Sequence, residues 1–282
     1  MFCRSIPYRT VVRAAEDLIR RASFHLPDGV RRSLEQADTG GEGPGRDAIG
    51  LILENMEAAA QDEVPLCQDT GLAFFYIRAG SAVVIEGGTL EGALNEAAAA
   101  MYTSLFLRKS VVESPLNRVN TGTNTPVVIH YEMVGGDELE INFMAKGGGS
   151  ENKSRMAMLT PDAGKEGVLR FVLETVKSAG PDPCPPLFLG IGLGGSFDTA
   201  PWLAKKALFR RPGERHPRGD LAAFEEEVTL FVNSSSGVGI QGFGQGVTVL
   251  DTFIEEAPCH IASFPVAVNI NCHSARYAGV IL

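Results

Sequence analysis

Positive charge is scarce in this chain of 282 residues: 25 Lys and Arg stand against 34 Asp and Glu, a formal charge of −9 with a pI near 5.1. Nucleic acids and anionic membrane surfaces demand clustered cations, so both are excluded as partners, whereas a small anion held by one well-placed Arg is not. Long apolar runs are missing too. The longest, such as 264–270, break well short of the ~20 residues that span a bilayer. The N-terminus carries Arg4, Arg9 and Arg13 but no apolar core of a secretory signal, and Glu16 and Asp17 oppose a transit peptide. A cytoplasmic protein is expected. There is no disulfide framework either: the cysteines at 3, 67, 184, 259 and 272 are odd in number and widely scattered, leaving buried thiols or metal ligands.

What is present is ample apolar content, 44% of residues, enough for one large domain or two small ones. Val11, Val12, Ala15, Leu18, Ile19 and Ala22 recur at helical spacing, and Ile52, Leu53, Met56 and Ala60 repeat the pattern, so 1–63 read as a helical segment with a glycine-rich connection over 39–45. Residues 72–77 read as a buried strand, followed by a second short strand ending at Glu86 and an Ala-rich helix over about 89–107. Segments 125–133 and 138–145 flank Gly135-Gly136-Asp137 and read as a hairpin. Helices are expected over 164–178, 198–209 and 221–232, with strands over 187–191 and near 247–253 and 265–270. The alternation is α/β, with mixed helices and short sheets in a single domain whose part 64–282 follows the helical segment.

Three constellations carry chemistry. Cys67-Gln68-Asp69-Thr70-Gly71 sets a soft metal ligand, an amide and a carboxylate in one loop between a helix and a strand. Cys184, before Pro185-Pro186, and Cys272, after Asn271, also adjoin loop signals. Thiolates from three loops can hold an iron–sulfur cluster with one iron left open, and small buried hydrophobes are the plain alternative. Zinc between Cys259-His260 and Cys272-His273 is disfavoured, because adjacent residues point to opposite faces of an extended segment. Gly190-x-Gly192-x-x-Gly195 and Gly237-x-Gly239-x-x-Gly242 match the dinucleotide fingerprint, yet no acidic residue ends a strand about 20 residues on, so tight turns explain them. Lys146-Gly147-Gly148-Gly149-Ser150 lacks Walker spacing but offers backbone N–H groups that could cradle a carboxylate. By default Arg108 is a solvated cation and His260 a structural histidine.

Together with Asn120-Thr121-Gly122-Thr123-Asn124-Thr125-Pro126 and His260-Ile261-Ala262-Ser263, these motifs resemble, in order and over about 60–280, the α-subunit of the iron–sulfur-dependent class I fumarases and L-tartrate dehydratases. The resemblance implies a central 4Fe-4S cluster on Cys67, Cys184 and Cys272, with one iron lacking a protein ligand, and no such role for Cys3 or Cys259. It implies Asp69 and His260 in proton transfer, and Gln68, Arg108 and Gly148 in dicarboxylate binding. It further implies reversible hydration of fumarate to L-malate, or dehydration of L(+)-tartrate, with a separate β-subunit completing the site in an (αβ)2 assembly. Gly242-Phe243-Gly244-Gln245-Gly246 departs from a Gly-Gly-Lys-like pattern, removing a cation from that loop. The contrasting expectation is a non-catalytic glycine-rich binding or assembly module, which the retention of all three loop cysteines and Asp69 opposes.

Overall fold

The computed structural model describes residues 3–37 and 42–282, so the connection expected over 39–45 lies partly outside the described residues. In chain order the elements are β1 (Arg4–Pro7), α1 (Tyr8–Phe24), α2 (Asp28–Ala37), α3 (Pro44–Asp62), β2 (Leu72–Gly80), β3 (Val83–Glu86), α4 (Leu90–Ser104), β4 (Val128–Val134), β5 (Leu139–Lys146), α5 (Gly148–Glu151), β6 (Arg155–Leu159), α6 (Gly164–Ala179), β7 (Leu187–Gly194), α7 (Thr199–Ala207), α8 (Gly219–Ser235), β8 (Val249–Ala257), β9 (Phe264–Asn271) and β10 (Tyr277–Ile281). This is a mixed α/β set. No helix among the described residues is long and apolar enough to cross a membrane. The chain forms two compact units: one comprises the chain up to Pro27, Met56–Gly148 and Arg276–Leu282, the other Asp28–Asn55 and Gly149–Ala275.

In the first unit four strands pair in the order β10-β5-β2-β4. Strand β2 takes the centre because Ala73, Phe74, Phe75, Tyr76 and Ile77 are all buried, the unbroken apolar run of a strand covered on both faces. It runs parallel to β4 and antiparallel to β5. This overturns the hairpin expected around Gly135-Gly136-Asp137, since β4 and β5 lie on either side of β2 and do not pair. The turn's backbone instead bonds the β2–β3 connection: Ser81 N donates to Val134 O at 2.8 Å, and Ala82 N to Gly136 O at 2.9 Å. The apolar stripe of α1 is buried as its spacing predicts, packed on α4 and against β5 and β10. Each fully buried Leu or Ile there, such as Leu18 and Ile19, contributes ~1.5–3 kcal/mol.

In the second unit the order is β6-β9-β7-β8, with β7 parallel to β8 and antiparallel to β9. Helices α6 and α8 join Leu187, Leu189, Ile191, Val266 and Val268 in one core. Helix α7 approaches at backbone distance. A Cβ on Gly190 would lie 2.0 Å from Ala204 O, and one on Gly192 would lie 2.0 Å from Ala200 O. The first dinucleotide-like fingerprint is therefore a packing device, serving close helix–strand approach. Two buried carboxylates fasten the loop after α7: Glu225 pairs with Arg210 and accepts from Ile254 N at 2.9 Å, and Asp251 accepts from Arg215 at 2.8 Å.

Candidate active site

In the first unit the segment after α3 turns sharply into β2 through the Cys67-Gln68-Asp69-Thr70-Gly71 loop. Gly71 has φ +79° and passes so close to β5 that a Cβ would meet backbone atoms of Ala145 and Lys146 at 2.9 Å. Only glycine fits. The Asp69 carboxylate is fixed from two sides: Oδ1 accepts from Gly71 N at 3.1 Å and Oδ2 from Gly148 N at 2.7 Å. The glycine-rich segment thus cradles a carboxylate, as its exposed N–H groups allow, and that carboxylate is the chain's own Asp69. Gln68 is exposed, and Cys67 and Asp69 are half-buried.

Arg108 lies just beyond α4 and is exposed. Its carbonyl accepts from Thr70 Oγ1 at 2.9 Å, so Gln68, Asp69, Gly148 and the Arg108 segment are brought together in one unit. Buried Tyr102 supports the loop from α4, donating to the carbonyls of Thr70 and Gly71 at 3.2 and 3.1 Å. Burial raises its hydroxyl pKa, with Asp69 pushing the same way and the Arg276 cation pulling it down. Two cations of this unit are buried: Lys146 is 1% exposed, and Arg276 is 2% exposed with no hydrogen-bond partner on its Nε among the described residues. The sequence left Tyr102 and Arg276 without roles, since nothing in their local pattern marks the distant carbonyls that Tyr102 meets or the burial of Arg276.

In the second unit the register Phe188↔Asn271 brings the chain entering β7 and the chain leaving β9 to one end of the sheet. Cys184 and Cys272 therefore share that end, both as free thiols, Cys184 exposed and Cys272 half-buried. Cys184 adopts φ +55°, a left-handed conformation costing ~1–3 kcal/mol in a non-glycine residue and held only where its surroundings insist. Those surroundings are His273 and Gln241. His273 Nδ1 donates to Cys184 O at 2.9 Å, and the Gln241 side chain donates to Pro185 O at 2.6 Å. A carbonyl can only accept, so Nδ1 carries the imidazole proton here. The second glycine fingerprint, which contains Gln241, thus supports the Cys184 loop.

His260 stands elsewhere. It follows β8, whose end Ala257 pairs with Gly194 at the far end of β7, roughly 20 Å along the strand from Phe188. It is exposed, contrary to the apolar surroundings its neighbours implied, and its Nδ1 accepts from Ala262 N at 3.1 Å, which places a neutral ring's proton on Nε2. Within this unit it does not share the thiols' end. No group of three or more His, Cys, Asp or Glu side chains able to hold a metal ion is formed among the described residues.

The family model described as fumarate hydratase (Fumerase) matches residues 12–281. A Methanocaldococcus jannaschii protein, provisionally named L(+)-tartrate dehydratase subunit alpha, is 40% identical over 269 residues, covering 93% of this chain and 94% of its own. L(+)-tartrate dehydratase subunit alpha of Escherichia coli (strain K12) is 33% identical over 259 residues, 90% of this chain and 84% of that one. The Shigella sonnei (strain Ss046) protein of that name matches to the same extent. With a fixed carboxylate, an adjoining thiol and amide, and matches of this length, the chain belongs to the fumarate hydratase (Fumerase) family and is a hydro-lyase.

Proposed function

We propose that this chain is the α-subunit of a two-subunit hydro-lyase that removes water from, or adds it to, a small dicarboxylate at a 4Fe-4S cluster. One observation carries the reading: the doubly held Asp69 carboxylate sits on the loop that presents Cys67 and Gln68, bonded to the segment bearing Arg108. The donor chemistry fits a cluster. Cys67, Cys184 and Cys272 are free thiols on loops, none of them fully buried, and thiolates select iron–sulfur groups. When bound, the cluster would supply a Lewis-acidic iron to the departing hydroxyl oxygen.

The chain's own residues supply the remainder. Loss of a proton next to a carboxylate builds enolate-like charge, so a base and fixed cations are required. Asp69 is assigned the proton, with one face fixed by amides, and Arg108 a carboxylate, which a guanidinium can fork. Gln68 donates its amide to the substrate. The Gly148 N–H is taken by Asp69, so its part in binding is to aim that carboxylate. His260 is assigned the second place in the proton path, on the resemblance carried by His260-Ile261-Ala262-Ser263.

L(+)-tartrate is the first substrate proposed, because the relatives described above bear that name; its dehydration gives the enol of oxaloacetate. Fumarate hydration is the second, favoured by the family description. The test is a paired assay of anaerobically reconstituted enzyme with its partner subunit. Turnover of L(+)-tartrate or of the fumarate–malate pair supports the reading, and a colourless protein that turns over neither refutes it.

A further inference from the structure

The 120–126 stretch contributes no thiol, acid or base, yet it is hydrogen-bonded to the segments that follow both Arg108 and Asp69. Asn120 Nδ2 donates to Lys109 O at 2.9 Å, and Thr121 N donates to Val111 O at 3.0 Å. Asn124 goes further. It is completely buried and adopts φ +59°, a left-handed conformation that asparagine tolerates better than most residues. Its carboxamide is used at both ends: Oδ1 accepts from Ser110 N at 2.7 Å, and Nδ2 donates to Gly71 O at 3.2 Å. Ser110 lies two residues beyond Arg108, and Gly71 two residues beyond Asp69. One side chain therefore spans the two segments that present the cation and the carboxylate. Thr70 Oγ1, on Arg108 O, is a parallel tie between the same segments.

We propose that Asn124 is a positioning residue for substrate recognition, setting the spacing between Arg108 and the Gln68-Asp69 loop. The inference rests on the assignment of Arg108 and Asp69 made above. Its physical basis is that a buried carboxamide with both ends satisfied holds its partners rigidly, whereas deleting it leaves Ser110 N without its acceptor and Gly71 O with the Tyr102 hydroxyl in place of two donors. Arg108 sits in irregular backbone between α4 and the short bridge of Val112 to Asn120, so regular structure does not fix it.

The test uses the full chain with its partner subunit and reconstituted cluster, with L(+)-tartrate and L-malate as separate probes. Asn124→Gly keeps the left-handed backbone and removes both bonds. It is expected to raise KM roughly tenfold to a hundredfold with a smaller change in kcat, and to speed amide exchange at Ser110. Asn124→Asp, which can still accept from Ser110 but cannot donate to Gly71, should fall between. In an Arg108→Ala background, Asn124→Gly should add no further rise in KM. Thr70→Val, which cuts the parallel tie with little change of shape, should give the same KM-centred signature and serves if Asn124→Gly does not fold. Wild-type KM in the Asn124 and Thr70 variants, or effects that multiply independently of Arg108, would overturn the positioning role. An unchanged KM in Arg108→Ala alone would instead overturn the binding assignment, and the proposal with it.

Discussion

Asp69 gives both carboxylate oxygens to backbone amides, and this decides what a change there can do. An asparagine has one acceptor oxygen and no charge, so Asp69→Asn leaves either Gly71 N or Gly148 N without its carboxylate partner. We expect kcat to fall by about 10²–10⁴-fold with the cluster's absorbance unchanged, and unaltered turnover would return Asp69 to a purely structural role. Tyr102 is tested by pH. Its hydroxyl pKa is raised in the folded chain by burial first and by Asp69 among the charges. Its contribution is therefore fully present below the unfolded value of about 10 and is lost as pH climbs from there toward the folded value. Tyr102→Phe should cost ~1–2 kcal/mol at neutral pH by removing the bonds to the Thr70 and Gly71 carbonyls. The gap to wild type should narrow in alkaline urea titrations, and a gap that widens above pH 10 would refute this reading. Residues of this kind divide by legibility. Cys67, Gln68 and Asp69 announce chemistry by side-chain type at adjacent positions, whereas Tyr102 and Asn124 act on backbone groups 31 and 53 positions away.

Strands and helices were legible where burial is continuous and ambiguous where it is not. The apolar run of β2, the stripe of α1 and the Ala-rich α4 each match one clear period, and the structure keeps them close to their expected limits. Strands β6 and β10 escaped because their burial is mixed and their pairing is with β9 and β5, which come from distant parts of the chain. The hairpin expectation failed for a related reason: a turn signal fixes where the chain reverses and says nothing about a third strand inserted between the two arms. The glycines of β7 give this scale its prediction. A Cβ at Gly192 would lie 2.0 Å from Ala200 O and 2.7 Å from Ala204 N, both backbone, so α7 must move bodily. Gly192→Ala should destabilise by ~1–3 kcal/mol or more, seen as a lower thermal midpoint. Gly135→Ala, where an added Cβ meets nothing within 4 Å, should leave that midpoint nearly unchanged. Equal losses in both variants would remove the packing account of the fingerprint.

At the scale of the whole molecule the cation supply governs the outcome. A dicarboxylate carries charge at both ends, and enolate-like charge builds between them, so donors are needed on more than one side through the transition state. This chain exposes Arg108 beside the Asp69 loop, but Lys146 and Arg276 are almost completely buried, and the 242–246 loop brings no cation. The relatives' names describe alpha subunits, and the partner subunit proposed above would bring the further Arg or Lys. The chain alone, with its cluster reconstituted anaerobically, should therefore bind L(+)-tartrate weakly and turn it over no faster than background. Adding the partner subunit should restore activity in a saturable way, with native mass spectrometry reporting two copies of each. Air should abolish that activity, and iron, sulfide and thiol should return it, because in the proposed cluster an iron without a protein ligand would be open to oxidants. Full turnover by the isolated chain would show that Arg108 and the loop amides suffice, and would end the case for a divided site.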